Sequence, residues 1–151
     1  MAVPDTVTRR AGLCAWFAQS PGRSLLAVES YALRTVWPSL FGKVAVQLGC
    51  VGPVDLLDAC NAPVRALLDL PGAPAAAVAR VHGEPEALPF DSRSVDLMLL
   101  PHTLEFCADP HQVLREVSRV LTPEGHIVVL GFNPFSLWGL WRLALRRRGA
   151  A

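Results

Sequence analysis

The run Val95-Asp96-Leu97-Met98-Leu99-Leu100 constrains this chain more than any other segment. It is apolar at nearly every position, so as a strand it would be buried on both faces. Such a strand belongs in the middle of a parallel sheet with helices on either side. The rest of the pattern agrees. Residues 43–48, 64–68, 78–82 and 127–130 read as further strands beside 94–100. Residues 23–37 read as a helix, because Leu25, Leu26, Val28, Leu33, Val36 and Trp37 recur at three- and four-residue steps. A second helix begins after Asp109, a good N-cap, with Pro110 at its first position and Gln112 at its third. Its apolar face is Val113, Leu114, Val117, Val120 and Leu121. Residues 53–60 read as a short two-turn helix and 135–148 as a last one. Residues 1–20 read as loosely ordered at first, then apolar around Trp16 and Phe17.

Strands alternating with helices predict an α/β, Rossmann-like, mostly parallel doubly wound sheet of about five strands. Only nine residues, 69–77, separate the second strand from the third, where a parallel crossover normally takes a dozen or more. A missing helix or an irregular edge is therefore expected there.

Composition narrows the function. The 151 residues suffice for one domain with its own core. Hydrophobic residues make up 52%, which excludes general disorder. The net charge of +1 argues against nucleic acid as a partner. Arg142, Arg146, Arg147 and Arg148 make the tail basic, leaving residues 1–141 mildly acidic. Cys14, Cys50, Cys60 and Cys107 form no C-x-x-C pair, and no histidine lies at zinc spacing from them. Free thiols, no metal and a cytoplasmic setting follow as expectations. Arg9-Arg10 and the apolar residues 11–18 fall short of a signal peptide. The longest apolar stretch is broken by Asn133, Pro134 and Arg142, so no membrane span is expected.

In open parallel sheets ligands bind at the carboxyl ends of the strands. Gln47-Leu48-Gly49-Cys50-Val51-Gly52-Pro53 follows the first strand, and its glycines would let the backbone turn close to a ligand. Asp69 follows the second, twenty residues beyond Gly49, the spacing at which an acid reaches a ribose hydroxyl. Glu84 follows the third. Pro101-His102-Thr103-Leu104-Glu105 follows the fourth. Each of these also has an ordinary reading as turn or loop chemistry. Arg115, Glu116 and Arg119 read as surface pairs on the polar helix face.

Residues 84–132 resemble the class I S-adenosylmethionine-dependent methyltransferases, in the branch of the ubiquinone/menaquinone C-methyltransferases. The resemblance rests on Glu86 with Leu88-Pro89-Phe90, Val95-Asp96, His102 to Glu105, Asp109-Pro110, Leu114-Arg115-Glu116 and Arg119 to Gly125. Gly131-Phe132-Asn133-Pro134 and Ser136-Leu137-Trp138-Gly139 look like the YafS-like bacterial subgroup.

The resemblance implies S-adenosyl-L-methionine as cofactor and a small, lipophilic molecule as methyl acceptor. Gln47, Gly49, Cys50 and Gly52 would lie by the methionine part, Asp69 by the ribose and Glu84 near the adenine. His102 is the candidate base and Glu105 the second candidate. Residues 1–42 would form an N-terminal helical cap and 43–151 the methyltransferase core, lacking the family's C-terminal part.

The chain departs from the family at its loop. Gln47 stands where the family has an acid, Val51 where it has the middle glycine and Pro53 where it has the last. A β-branched side chain at Val51 would block close approach or redirect the backbone, so Val51→Gly is expected to tighten cofactor binding. The alternative function is a catalytically inactive methyltransferase-like binding module with a degenerate loop. A nicotinamide-dependent oxidoreductase fits poorly, because the first turn lacks G-x-G-x-x-G. Trp138 and Trp141 among the tail arginines also suit peripheral membrane contact, with an ordinary core helix the preferred reading.

Overall fold

The computed structural model describes residues 6–52, 54–69 and 79–133. Five strands form one sheet: β1 (Val44–Leu48), β2 (Val64–Asp69), β3 (Ala79–His82), β4 (Val95–Pro101) and β5 (Leu121–Leu130). Their order is β3-β2-β1-β4-β5, and every pairing is parallel. The order reverses between β1 and β4, the strands whose carboxyl ends flank the ligand crevice in open sheets of this kind. β2 and β3 are parallel neighbours, and residues 70–78 between them, where a missing helix or irregular edge was expected, lie outside the described residues.

Alternating side chains of the central strands feed two cores. Ala45, Leu97 and Leu99 face one way, against helices α1 (Thr6–Phe17) and α2 (Gly22–Val36). Val46, Leu48, Met98 and Leu100 face the other way, against α3 (Pro110–Val120). The apolar run of β4 is thus explained, since Leu97 to Leu100 are buried from both sides. α2 ends in a 3-10 turn, Trp37–Ser39. Trp37 is fully buried, and its indole N–H donates to the Leu56 carbonyl at 2.8 Å. On α3 the Asp109 carboxylate accepts from the Gln112 amide at 3.0 Å, closing the N-cap the sequence predicts.

Asp96, the one polar residue within the β4 run, joins three strands at their amino ends. Its carboxylate accepts from the backbone N–H of Lys43 at 2.7 Å and of Val44 at 3.0 Å, and from the Thr122 hydroxyl at 3.2 Å. Against the desolvation that raises it, these donors hold the Asp96 pKa below the usual carboxylate value. Gly42 is required there, because a Cβ would lie 2.5 Å from that of Asp96.

Three expectations are corrected. Residues 6–17 form a helix, where loose order was expected at the start, because Arg10, Leu13 and Phe17 share one buried stripe. Residues 54–60 make a turn in place of a two-turn helix; Asp55 accepts from the Leu57 amide at 2.9 Å and so competes with helical bonding. Glu116 and Arg119 are more than a surface pair. Arg119 donates to the carbonyls of Leu88 and Phe90, both at 3.0 Å, while Glu116 accepts from the Leu88 amide at 2.9 Å. The polar face of α3 therefore grips the loop that follows β3. The helix expected at 135–148, and with it the membrane-contact reading, lies outside the described residues. Among the described residues no helix is long and apolar enough to cross a membrane.

Candidate functional site

The sheet brings the residues singled out in the sequence to one edge. Gly49, just past β1, adopts φ 86°, a left-handed conformation that favours glycine. Its amide donates to the Leu68 carbonyl at 3.1 Å. Leu48 pairs with Leu68, so Asp69 ends β2 beside Gly49. Asp69 in turn pairs with His82, and Glu84 follows two residues later. Gly49, Asp69 and Glu84 thus succeed one another along the carboxyl ends of β1, β2 and β3. Glu84 is exposed, and its carbonyl accepts from the Ala87 amide at 3.2 Å.

The loop after β1 is built from within. Gln47 is buried, and its amide donates to the Gly49 carbonyl at 2.8 Å. Gln47 therefore shapes the turn. The Cys50 thiol is buried and donates to the Gly52 carbonyl at 2.9 Å. Gly52 lies under α2, where an added Cβ would meet Leu26 at 3.0 Å. Val51 is 1% exposed and packs among Leu13, Leu26 and Leu57 in the core. Its side chain thus serves packing beneath the loop, which overturns the expectation that it stands in a ligand's way.

Past β4, His102 adopts φ 49°, uncommon for a residue with a Cβ. Its amide donates to the Leu130 carbonyl at 2.9 Å, and its ring is fully buried. Both ring nitrogens are engaged. Nε2 faces Glu29 Oε1 on α2 at 2.9 Å, and Nδ1 faces Glu105 Oε2 at 3.3 Å. Burial alone would lower the His102 pKa, but hydrogen bonds to Glu105 and then Glu29 outweigh it and raise it to about 9. At neutral pH the ring is therefore an imidazolium between two carboxylates. The other oxygen of Glu105 accepts from the Phe132 amide. Phe17 and Phe132 lie against the imidazolium, with ring centroids at 5.1 and 4.4 Å, and Trp16 packs edge-on to both phenyl rings. The side chains of Trp16 and Phe132 are partly exposed. An aromatic wall thus stands beside the β4 and β5 ends.

Two residues here escaped the sequence reading. Glu29 lies 73 positions from His102, and nothing local marks it. Arg10 is 4% exposed, and both terminal nitrogens of its guanidinium are buried without a hydrogen-bond partner among the described residues. Burial lowers its pKa, and the ionisable groups facing it are Cys107, Cys14 and Cys50. The Cys14 thiol, one helical turn on, donates to the Cys50 carbonyl at 3.4 Å. Burial also pushes the Cys107 thiol up to about 11. An orphaned cation beside the β1 loop fits a ligand that brings its own anion.

Known proteins give this edge a context. A family model described as a methyltransferase domain matches residues 42–129. Uncharacterized protein YafS of Escherichia coli is 34% identical over 128 residues, covering 85% of this chain and 43% of that protein. Demethylmenaquinone methyltransferase of Chlamydia pneumoniae is 35% identical over 54 residues, 36% of this chain and 24% of the other. The chain spans about two fifths of the length of YafS and of a Mycobacterium bovis relative that it also matches. Among solved structures, a SAM-dependent methyltransferase from Thermotoga maritima superimposes with a TM-score of 0.60 at 21% identity, over 87% of this chain and 66% of that one. At that identity the likeness speaks to the fold.

Proposed function

The chain belongs to the methyltransferase-domain family, whose cofactor is S-adenosyl-L-methionine, and on that premise we propose that it is the cofactor-binding part of an enzyme that methylates a small, lipophilic molecule. The observation that carries this reading is the edge itself. A left-handed glycine, an acid at the next strand end and a buried guanidinium whose terminal nitrogens have no partner among the described residues lie beside the reversal of strand order. When bound, the cofactor supplies a methyl group already activated on sulfonium sulfur.

The chain's own residues bind and orient. Gln47, Gly49, Cys50 and Gly52 form the turn beside the methionine part, Asp69 holds the ribose hydroxyls and Glu84 flanks the adenine. Residues 1–42 act as a cap over this edge, through α1 and α2. The aromatic wall of Trp16, Phe17 and Phe132 supports a lipophilic acceptor and excludes water from its approach. His102 carries its proton at neutral pH, so it serves as a fixed positive strut that orients the Glu105 carboxylate. Glu105 is the more exposed partner and is the group able to take an acceptor proton.

The alternative, a binding module without activity, keeps the same edge but not the chemistry. Titration calorimetry of the chain with S-adenosylhomocysteine tests the shared part. Binding on the order of micromolar supports the cofactor reading, and no heat at millimolar ligand refutes it. Transfer of a labelled methyl group into a solvent-extractable acceptor pool separates enzyme from module.

A further inference from the structure

We infer that Arg10 recognises the carboxylate on the amino-acid arm of the cofactor, and that this contact latches α1 over the loop after β1. The inference rests on the cofactor reading above. Its own evidence is the helix face. Arg10, Cys14 and Phe17 follow one another at helical spacing along α1. Cys14 touches the loop at the Cys50 carbonyl. Phe17 packs on His102 beyond β4. α1 therefore crosses from the end of β1 to the end of β4, directly over the reversal of strand order.

Arg10 occupies the inner side of that crossing. It presents two buried nitrogens and faces thiols, with no carboxylate among the ionisable groups acting on it in the described residues. A buried guanidinium without an anion is costly, and a planar carboxylate matches its fork of donors. The carboxylate is the one anionic group of the cofactor, whose sulfonium and ammonium are cations. Binding it would pair the orphan, bury the arm and hold α1 closed.

The test compares S-adenosylhomocysteine with 5′-methylthioadenosine, which keeps the nucleoside and thioether but lacks the arm. Calorimetry and hydrogen exchange of residues 6–17 are read for the wild-type chain and for Arg10→Met and Arg10→Lys. Arg10→Met is expected to weaken S-adenosylhomocysteine by about 10- to 100-fold, the range for a charged hydrogen-bonded pair, and to leave 5′-methylthioadenosine within about twofold. Arg10→Lys should fall between, since it keeps the charge and loses the fork. S-adenosylhomocysteine should slow exchange in α1, and 5′-methylthioadenosine should not. Without ligand, Arg10→Met should melt no lower than wild type, because it removes an unpaired buried charge. Equal loss of both ligands, or no loss of either, overturns the role of Arg10 while leaving the cofactor reading standing. If Arg10→Met does not fold, Arg10→Lys carries the same comparison. Failure of the wild type to bind either nucleoside overturns the cofactor reading and this inference together.

Discussion

The imidazolium of His102 should make the fold sensitive to alkali. Its pKa lies at about 9, against an ordinary 6.5 in the unfolded chain. That difference corresponds to roughly 3 kcal/mol of preference for the charged ring in the folded state. Because the folded value is the higher one, the contribution is complete below pH 6.5 and disappears as pH rises through 9. Cys14 and Cys107 also have raised values, and they too erode stability as pH rises. A comparison with His102→Gln removes their effect, since both proteins carry those thiols. Urea unfolding from about pH 6 to about pH 10 should show the wild-type advantage over His102→Gln shrinking by roughly 3 kcal/mol. Carbon-13 shifts of the ring should give the titration directly. A stability gap that stays constant with pH, or a ring titrating near 6.5, would refute the two-carboxylate account.

Asp96→Ala should cost roughly 2–4 kcal/mol in urea unfolding, because it leaves the Lys43 and Val44 amides without their acceptor; a loss under half a kcal/mol would show that water replaces the carboxylate. In wild type the lowered Asp96 pKa predicts that its contribution is present above about pH 4 and fades as acid protonates it, which the same unfolding series read toward low pH checks. Val51→Gly should lower stability by about 2–4 kcal/mol through the lost buried side chain and added backbone freedom; tighter S-adenosylhomocysteine binding at unchanged stability would restore the view of Val51 as an obstacle. Arg119→Met should speed amide exchange across residues 86–92, because that loop hangs on its guanidinium. Unchanged exchange there would mean that packing of Leu88 suffices.

The strands were legible because burial leaves a mark in residue type. Leu97 to Leu100 read as a central strand and are one. The cap of α3 was legible because Asp109, Pro110 and Gln112 act within one turn. α1 was not, since its buried stripe begins at Arg10, which pattern reading assigns to solvent. The turn at 54–60 was misread because Asp55 offers its own side chain as an acceptor where a helix would use backbone. Local spacing put Gly49 and Asp69 at the ends of the first two strands, where the structure has them side by side. It could not supply Glu29 or the state of His102, because both depend on how α2 lies across the sheet.

The hold of α3 on the segment after β3 has a consequence for how this protein can vary. At Leu88 and Phe90 the hydrogen bonds of Arg119 and Glu116 go to main-chain atoms, while Ser92 adds its hydroxyl as an acceptor for Arg119 at 3.3 Å. The main-chain part of this grip is blind to which amino acids occupy positions 88 and 90. Leu88 is constrained separately, by its burial beside Val113 and Val117. Drift at positions 88 and 90 should therefore be tolerated wherever bulk is preserved, whereas exchanging either charged partner alone would loosen a segment some thirty residues distant in the chain.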